Sequence, residues 1–243
     1  MSFVHLHTHT EYSLLDGSNR IKDYIGKIIS DGQNAAAITD HGVMYGVVEF
    51  YKEAKKKGIN PVIGCEIYVA PGSRFDREKS NEEDDSYYHL ILLAENNIGY
   101  QNLVKIVSIG FRDGFYRKPR VDFETLKEYH EGLICLSACL AGQVQRLLQK
   151  NDYEGAKALA KEYEGCFGKG NYFLELQDHG LPLDRIVISG LLKMHEETGI
   201  PVVCTNDCHY TEKADMDAHD ILLCIQTKKK VTDDDRMRYT GGP

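Results

Sequence analysis

Short apolar runs alternate with amphipathic stretches along almost the whole chain. The runs at residues 3–8, 35–39, 61–70, 88–94, 132–137, 171–177 and 200–205 have the length and composition of strands. Between them, apolar residues at helical spacing predict helices over 21–30, 47–57, 99–110, 123–129, 140–149, 153–163, 183–198 and 213–226. In the first helix Ile21, Tyr24, Ile25, Ile28 and Ile29 share one face. Gly58 closes the second. Segments 71–86 and 111–121 read as loops, and the acidic run Glu82-Glu83-Asp84-Asp85 as a solvated face. The charged tail 228–243 has no evident closing element, and its abrupt end at Gly241-Gly242-Pro243 suggests a piece of a longer chain. Seven strands alternating with helices point to an α/β barrel or a closed, twisted parallel sheet. No Gly-x-Gly-x-x-Gly follows a strand, so a dinucleotide fold is unsupported.

Composition narrows the setting. The 243 residues, 42% hydrophobic and 27% charged, suit one large α/β domain or two small ones. The sequence has neither an eighteen-residue apolar run nor a basic-then-apolar leader, so a cytoplasmic protein is expected. Seven cysteines form an odd set in a chain of this size. That argues for reduced, mostly buried thiols, with Cys135, Cys204 and Cys208 expected to pack. A net charge of −8 opposes a general nucleic-acid-binding surface. Divalent cations gathered at one point would nevertheless create a local anion site.

The candidate chemistry lies mostly at strand ends. His5, His7 and His9 occupy alternate positions, and a strand sends residues i and i+2 to the same side. Asp16 follows after a short turn. His41, Cys139, and Asp207 with His209 fall at or just past the ends of predicted strands, Glu66 lies within one, and His89 is near the start of another. In a βα barrel the carboxyl ends of the strands converge on one face. Histidine nitrogen with carboxylate oxygen suits zinc, manganese or iron. Nine candidates are too many for one ion and fit two or three, with Glu66 able to bridge. Paired cations clamp the attacking and leaving oxygens of a phosphoryl group and acidify a water, so the chemistry expected is phosphate-ester hydrolysis. No haem or iron–sulfur motif is present.

The remaining polar residues have plainer readings. His5 is expected to be structural, Asp40 to support the site, and His179 to lie in a loop. His130, His195 and His219 read as surface or packing residues. Arg117, Lys118 and Arg120 either touch a phosphate backbone or belong to a solvated loop.

Six segments carry a family resemblance: F-V-H-L-H-T-H-T-E-Y-S-L-L-D-G (3–17), I-T-D-H-G-V-M-Y-G (38–46), P-V-I-G-C-E-I-Y-V-A (61–70), H-L-I-L-L-A (89–94), L-S-A-C-L-A-G (136–142) and T-N-D-C-H-Y (205–210). In this order they resemble the PHP (polymerase and histidinol phosphatase) family over essentially the whole chain. The closer likeness is to its polymerase branch, the N-terminal parts of bacterial replicative polymerase alpha subunits. The resemblance implies a distorted (β/α)7 barrel with a three-metal site at the C-terminal ends of the strands. It implies one PHP domain over 1–243, belonging to a longer polymerase chain. Carried over by motif, one metal would take His7, His9, Glu66 and Asp207, a second Asp16, His41 and His209, and a third Glu66, His89 and Cys139. Phosphatase members usually carry histidine where this chain has Asp16 and Cys139, which favours the polymerase branch. The activity implied is a metal-dependent 3′–5′ exonuclease acting on a DNA 3′ end. The partners implied are the polymerase domains of the same subunit and a proofreading exonuclease subunit, with no membrane. Two alternatives stand beside it: a structural metal-bound domain without turnover, and a free-standing phosphomonoesterase like histidinol phosphatase.

Overall fold

The computed structural model describes residues 3–77 and 86–239, so the acidic run at 82–85 and the last four residues lie outside it. In chain order the elements are α1 (Ile21–Ser30), β1 (Ala35–Ile38), α2 (Val47–Lys56), β2 (Asn60–Val69), β3 (Tyr88–Ala94), α3 (Asn97–Arg112), β4 (Phe115–Tyr116), β5 (Lys118–Val121) and α4 (Phe123–Tyr129). They continue with β6 (Leu133–Leu136), α5 (Gln143–Gln149), α6 (Tyr153–Phe167), β7 (Tyr172–Leu176), α7 (Pro182–Thr198), β8 (Val202–Cys204) and α8 (Met216–Thr227).

The strands run in the order β1-β2-β3-β6-β7-β8 around a strongly curled sheet. Residues 3–8 do not form the regular strand expected of them. They are held instead by single backbone bonds on both sides. Ala37 and Thr39 donate to the carbonyls of His5 and Thr8 (2.9 and 2.8 Å), while His9 donates to the Cys208 carbonyl (2.8 Å). This segment therefore lies between β1 and the chain leaving β8, and supplies the seventh stave of a distorted barrel.

The sheet is not all parallel. β3 runs antiparallel to both β2 and β6, whereas β1–β2, β6–β7 and β7–β8 are parallel. A parallel neighbour would need a crossover, usually helical, and no helix lies between β2 and β3 among the described residues. The reversal has a useful result. His89, at the start of β3, comes to the same barrel end as the finish of β2, opposite Tyr68.

Segment 111–121, read as a loop, contains the short β4–β5 hairpin, and β5 joins the end of β2. Arg120 is buried there and donates to the carbonyls of Ser86 (3.1 Å) and Asp76 (2.6 Å). Its role is to satisfy backbone oxygens, so it is unavailable to a phosphate.

Alternation along the strands divides the apolar side chains. Cys65, Ile67 and Val69 of β2, Leu90 and Leu92 of β3, and Tyr172 and Leu174 of β7 face the outer helices and form the largest core. Ile91 and Leu93 of β3 point inward with Ala37, Leu136 and Ala138, plugging the barrel interior. Glu66 pairs with Ile91 and faces the same interior, as does Glu175 two places beyond Phe173. Polar groups thus sit on an apolar plug at one barrel end.

Close backbone approach makes one glycine matter. A Cβ on Gly99, at the start of α3, would collide with the Gly132 carbonyl, whereas one on the exposed Gly26 of α1 would meet nothing. Gly99→Ala should lose about 1–3 kcal/mol in urea denaturation. Gly26→Ala should gain roughly 0.5–1 kcal/mol. Equal effects at the two positions would contradict this packing.

Candidate metal centre

Seven separate pieces of the barrel rim deliver the nine candidate ligands. His7 and His9 come from the closing segment, Asp16 from the turn after it, and His41 from the chain leaving β1. Glu66 lies on β2, His89 starts β3, Cys139 follows β6, and Asp207 and His209 follow β8. All nine are brought together, over a sequence span of more than 200 residues.

The group with most members is His7, His9, Glu66 and Asp207, whose ligand atoms lie within 4.8 Å of one another. Glu66 Oε2 is 3.2 Å from His7 Nε2 and 2.9 Å from His9 Nε2, and Asp207 Oδ1 is 3.1 Å from each. His41 and His209 form a second group together with His9; Asp16 Oδ2 is 2.9 Å from His41 Nε2, and its Oδ1 is 3.9 Å from His209 Nε2. His41, Glu66 and His89 form a third, in which His89 Nδ1 touches Glu66 Oε1 and Cys139 Sγ lies 3.7 Å from the same nitrogen. Relative to the ligand sets implied by the family, the structure adds His9 to the second group and His41 to the third.

The proton positions decide what such a cluster can hold. His7 Nδ1 lies 2.7 Å from Glu175 Oε1, and an ionised carboxylate can only accept, so Nδ1 carries the hydrogen. Ser13 donates its hydroxyl to Asp40 Oδ1 (2.7 Å) and thus accepts from His9 Nδ1 (3.1 Å). Both Nε2 atoms are then bare lone pairs. They face each other at 3.2 Å and face two carboxylates. Asp16 Oδ1, His41 Nδ1, Glu66 Oε1 and Asp207 Oδ1 are likewise buried without a hydrogen-bond partner among the described residues. Converging lone pairs repel unless positive charge lies between them, so the residues fit divalent cations.

Without metal, protons must supply that charge. Burial alone would lower the His7 pKa, yet Asp207 and Glu175 override it and hold it well above the ordinary range. Burial is likewise outweighed at His41 by Glu66 and Asp16, which raise it to about 10. Burial opposes ionisation of Glu66 and Asp207, but the surrounding imidazoles hold both well below the usual carboxylate range. His209 falls to about 3 because burial and the neighbouring His9 both disfavour its charge.

Backbone strain collects in the same place. Among the described residues, six non-glycines have positive φ, and three of them are Leu15 (63°), Ala138 (67°) and Asp207 (50°). Two immediately precede Asp16 and Cys139, and the third is itself a candidate ligand. A left-handed backbone costs an alanine or leucine roughly 1–2 kcal/mol, which is tolerated where it aims a functional side chain.

Outside the nine, most residues follow their sequence reading, while Cys204 and the tail depart from it. His219 takes the packing role of its two readings: it is buried, and its Nε2 donates to the Asp16 carbonyl (2.7 Å). The tail has an anchor after all, since the Tyr239 hydroxyl lies 3.0 Å from His209 Nε2. Cys204 is exposed rather than packed, and all seven cysteines are free thiols. Asp40 reaches the site through Ser13. His5 rests against Cys208 (3.5 Å), and His179 is half-buried, bonded to the Asn206 carbonyl (2.9 Å). Sequence reasoning missed Glu175 altogether, although the alternation Tyr172-Phe173-Leu174-Glu175 marks it as inward-facing.

The PHP domain family model matches residues 5–179, and the chain belongs to that family. More particularly, it is similar to the DNA polymerase III alpha subunit of Treponema pallidum, with 49% identity over 239 residues covering 98% of this chain and 20% of the relative. The Thermus aquaticus DNA polymerase III alpha subunit is 43% identical over 241 residues, covering 98% of this chain and 20% of the relative. The chain thus spans about a fifth of the length of these relatives. Among solved structures, an amidohydrolase from Chromobacterium violaceum superimposes with a TM-score of 0.53 at 13% identity, covering 85% of this chain and 87% of the other. A protein from Bifidobacterium adolescentis, provisionally assigned as a metal-dependent phosphoesterase, gives 0.54 at 14% identity, covering 87% and 89%. At such identities these two share the fold. No helix among the described residues is long and apolar enough to cross a membrane.

The stability of metal-free protein should peak near neutral pH. The His41 contribution is complete below the unfolded imidazole pKa of about 6.5 and is lost as pH rises towards about 10. The His209 contribution is present above the same unfolded value and is lost as pH falls towards about 3. Tm measured after chelation should therefore fall on both sides, and zinc or manganese should raise it and flatten the alkaline fall. A Tm indifferent to pH and to both metals would contradict this account of the cluster.

Proposed function

We propose that this chain is the PHP domain of a bacterial replicative DNA polymerase alpha subunit, and that it is a metal-dependent phosphoesterase removing nucleotides from a DNA 3′ end. The observation that carries the reading is the convergence of bare imidazole nitrogens and buried carboxylates on a few shared points. Divalent cations there, three in number and zinc, manganese or iron in kind, would supply Lewis acidity and an acidified water. His7, His9, Glu66 and Asp207 would hold one, Asp16, His41 and His209 another, and Glu66, His89 and Cys139 the third.

The chain's own groups do the remaining work. The Glu175 carboxylate and the Ser13 hydroxyl fix the tautomers of His7 and His9 before any substrate arrives. Lys118 extends over the Tyr68 ring at 5.2 Å, and that ring packs against His41 and His89. This puts a cation beside the centre, where it can neutralise a phosphate of the substrate strand. Tyr239 borders the centre on the His209 side, its hydroxyl 3.0 Å from His209 Nε2. The domain is taken as one unit over 1–243, working in the cytoplasm. Its partners would be the polymerase domains of the same subunit and a proofreading exonuclease subunit.

One observation favours a structural role as the rival. The candidate ligands tie the irregular closing segment to β1, β2 and the chain after β8, so bound cations would brace the barrel whether or not turnover occurs.

The test is a 3′-labelled primer–template, with zinc or manganese returned after chelation. Nucleotide release should depend on metal and fall at least roughly 100-fold in His9→Ala and Asp207→Ala. Stoichiometric metal binding without cleavage would reject the exonuclease and leave the structural role. Hydrolysis confined to small phosphomonoesters would instead point to a phosphatase.

A further inference from the structure

We propose that Glu175 is the positioning residue for His7: it fixes the ring as the Nδ1–H tautomer and aims Nε2 at the cation held with His9, Glu66 and Asp207. The proposal rests on the metal reading above and adds a residue outside the nine.

Four observations carry it. First, Glu175 Oε1 lies 2.7 Å from His7 Nδ1, and both side chains are fully buried. Second, the carboxylate is held from several sides. Gln177 Nε2 donates to the same oxygen (3.1 Å), the Thr205 hydroxyl donates to it as well, and the Glu175 backbone N–H donates to Ser137 Oγ (2.8 Å). The oxygen has no freedom to follow the ring, so the ring follows the oxygen. Third, Glu175 forms no ion pair with lysine or arginine among the described residues, and its Oε2 has no hydrogen-bond partner there. Burying a carboxylate this way is costly unless positive charge is delivered to it. Among the described residues that charge reaches it through His7, whose other nitrogen faces the cluster. Fourth, His9 is held by a different device, Ser13 backed by Asp40, so each histidine of the pair has its own orienting acceptor.

A carboxylate behind a metal-bound imidazole raises its basicity and locks its orientation, and losing such a partner typically weakens metal binding about 10–100-fold. Because β7 supplies Glu175, this strand joins the centre without contributing a ligand.

The experiment measures zinc affinity by competition with a chromophoric chelator, and apo Tm, on the 243-residue chain. Variants are Glu175→Gln, which keeps shape and an acceptor but removes the charge, Glu175→Ala, His7→Ala, and the double variant Glu175→Gln/His7→Ala. Glu175→Ala should weaken zinc binding about 10–100-fold, and Glu175→Gln by a smaller factor in the same direction. In the His7→Ala background, Glu175→Gln should change zinc affinity no further. Asp40→Asn, acting through His9, should still weaken binding in that background. Should Glu175→Ala fail to fold, the near-isosteric Gln variant and its cycle with His7→Ala decide alone. Unchanged zinc affinity in folded Glu175→Gln, or an equal loss with and without His7, would overturn the assignment even if apo Tm fell. Wild-type protein that binds neither zinc nor manganese would overturn the metal reading itself, a different failure.

Discussion

The structure turns on a charge imbalance at one end of a small barrel. Asp16, Glu66, Glu175 and Asp207 gather there with their side chains largely out of water, and none forms an ion pair with lysine or arginine among the described residues. Two opposite charges about 3 Å apart interact by roughly 5 kcal/mol even at an effective dielectric of 20. Leaving four carboxylates without counter-charge is therefore untenable. Protons on His7 and His41 are one remedy, and divalent cations are the other. The two compete for the same nitrogens, which ties metal occupancy to pH without any further device.

The barrel is shaped to create that situation. Its interior is plugged by Ile91, Leu93 and Leu136, so polar groups above the plug are sealed on one side. β3 runs against its neighbours and brings His89 to the same rim. The closing segment is irregular because its backbone divides its bonds between two elements, and this irregularity carries two successive inward histidines. Left-handed residues at 15, 138 and 207 show that the backbone is bent to suit the rim.

Much of this was legible in the sequence. The six spaced motifs contain the nine side chains that converge at the rim, because a histidine or acid near a strand end is a local signal. The α/β alternation and most helices were legible from apolar periodicity. What was not legible depended on direction or distance. The reversal of β3 leaves no mark on a buried apolar run, which reads alike either way round. The β4–β5 hairpin is only two to four residues per strand and is stabilised by its contact with β2. Arg120 read as either a phosphate contact or a solvated loop residue, and it is neither, because its carbonyl partners come from segments far away in sequence. His219 looked like an ordinary helical histidine, since the Asp16 carbonyl it caps is 203 residues distant. Glu175 was the avoidable omission: the two-residue period already turned it inward.

The closing segment also sets when the centre can come into being. His7 meets Glu175 across 168 residues, and Ser18 meets the His209 carbonyl across 191. Closing a loop of that size costs on the order of 4–5 kcal/mol of chain entropy before any contact is made. The ring is completed only when the chain after β8 reaches the closing segment. Each parallel pair and each outer helix can form before then. The closing segment can bond to β1 early, but its other edge stays open until the chain after β8 arrives, so the group built from His7, His9, Glu66 and Asp207 is completed late while the His41, Glu66 and His89 group can gather earlier.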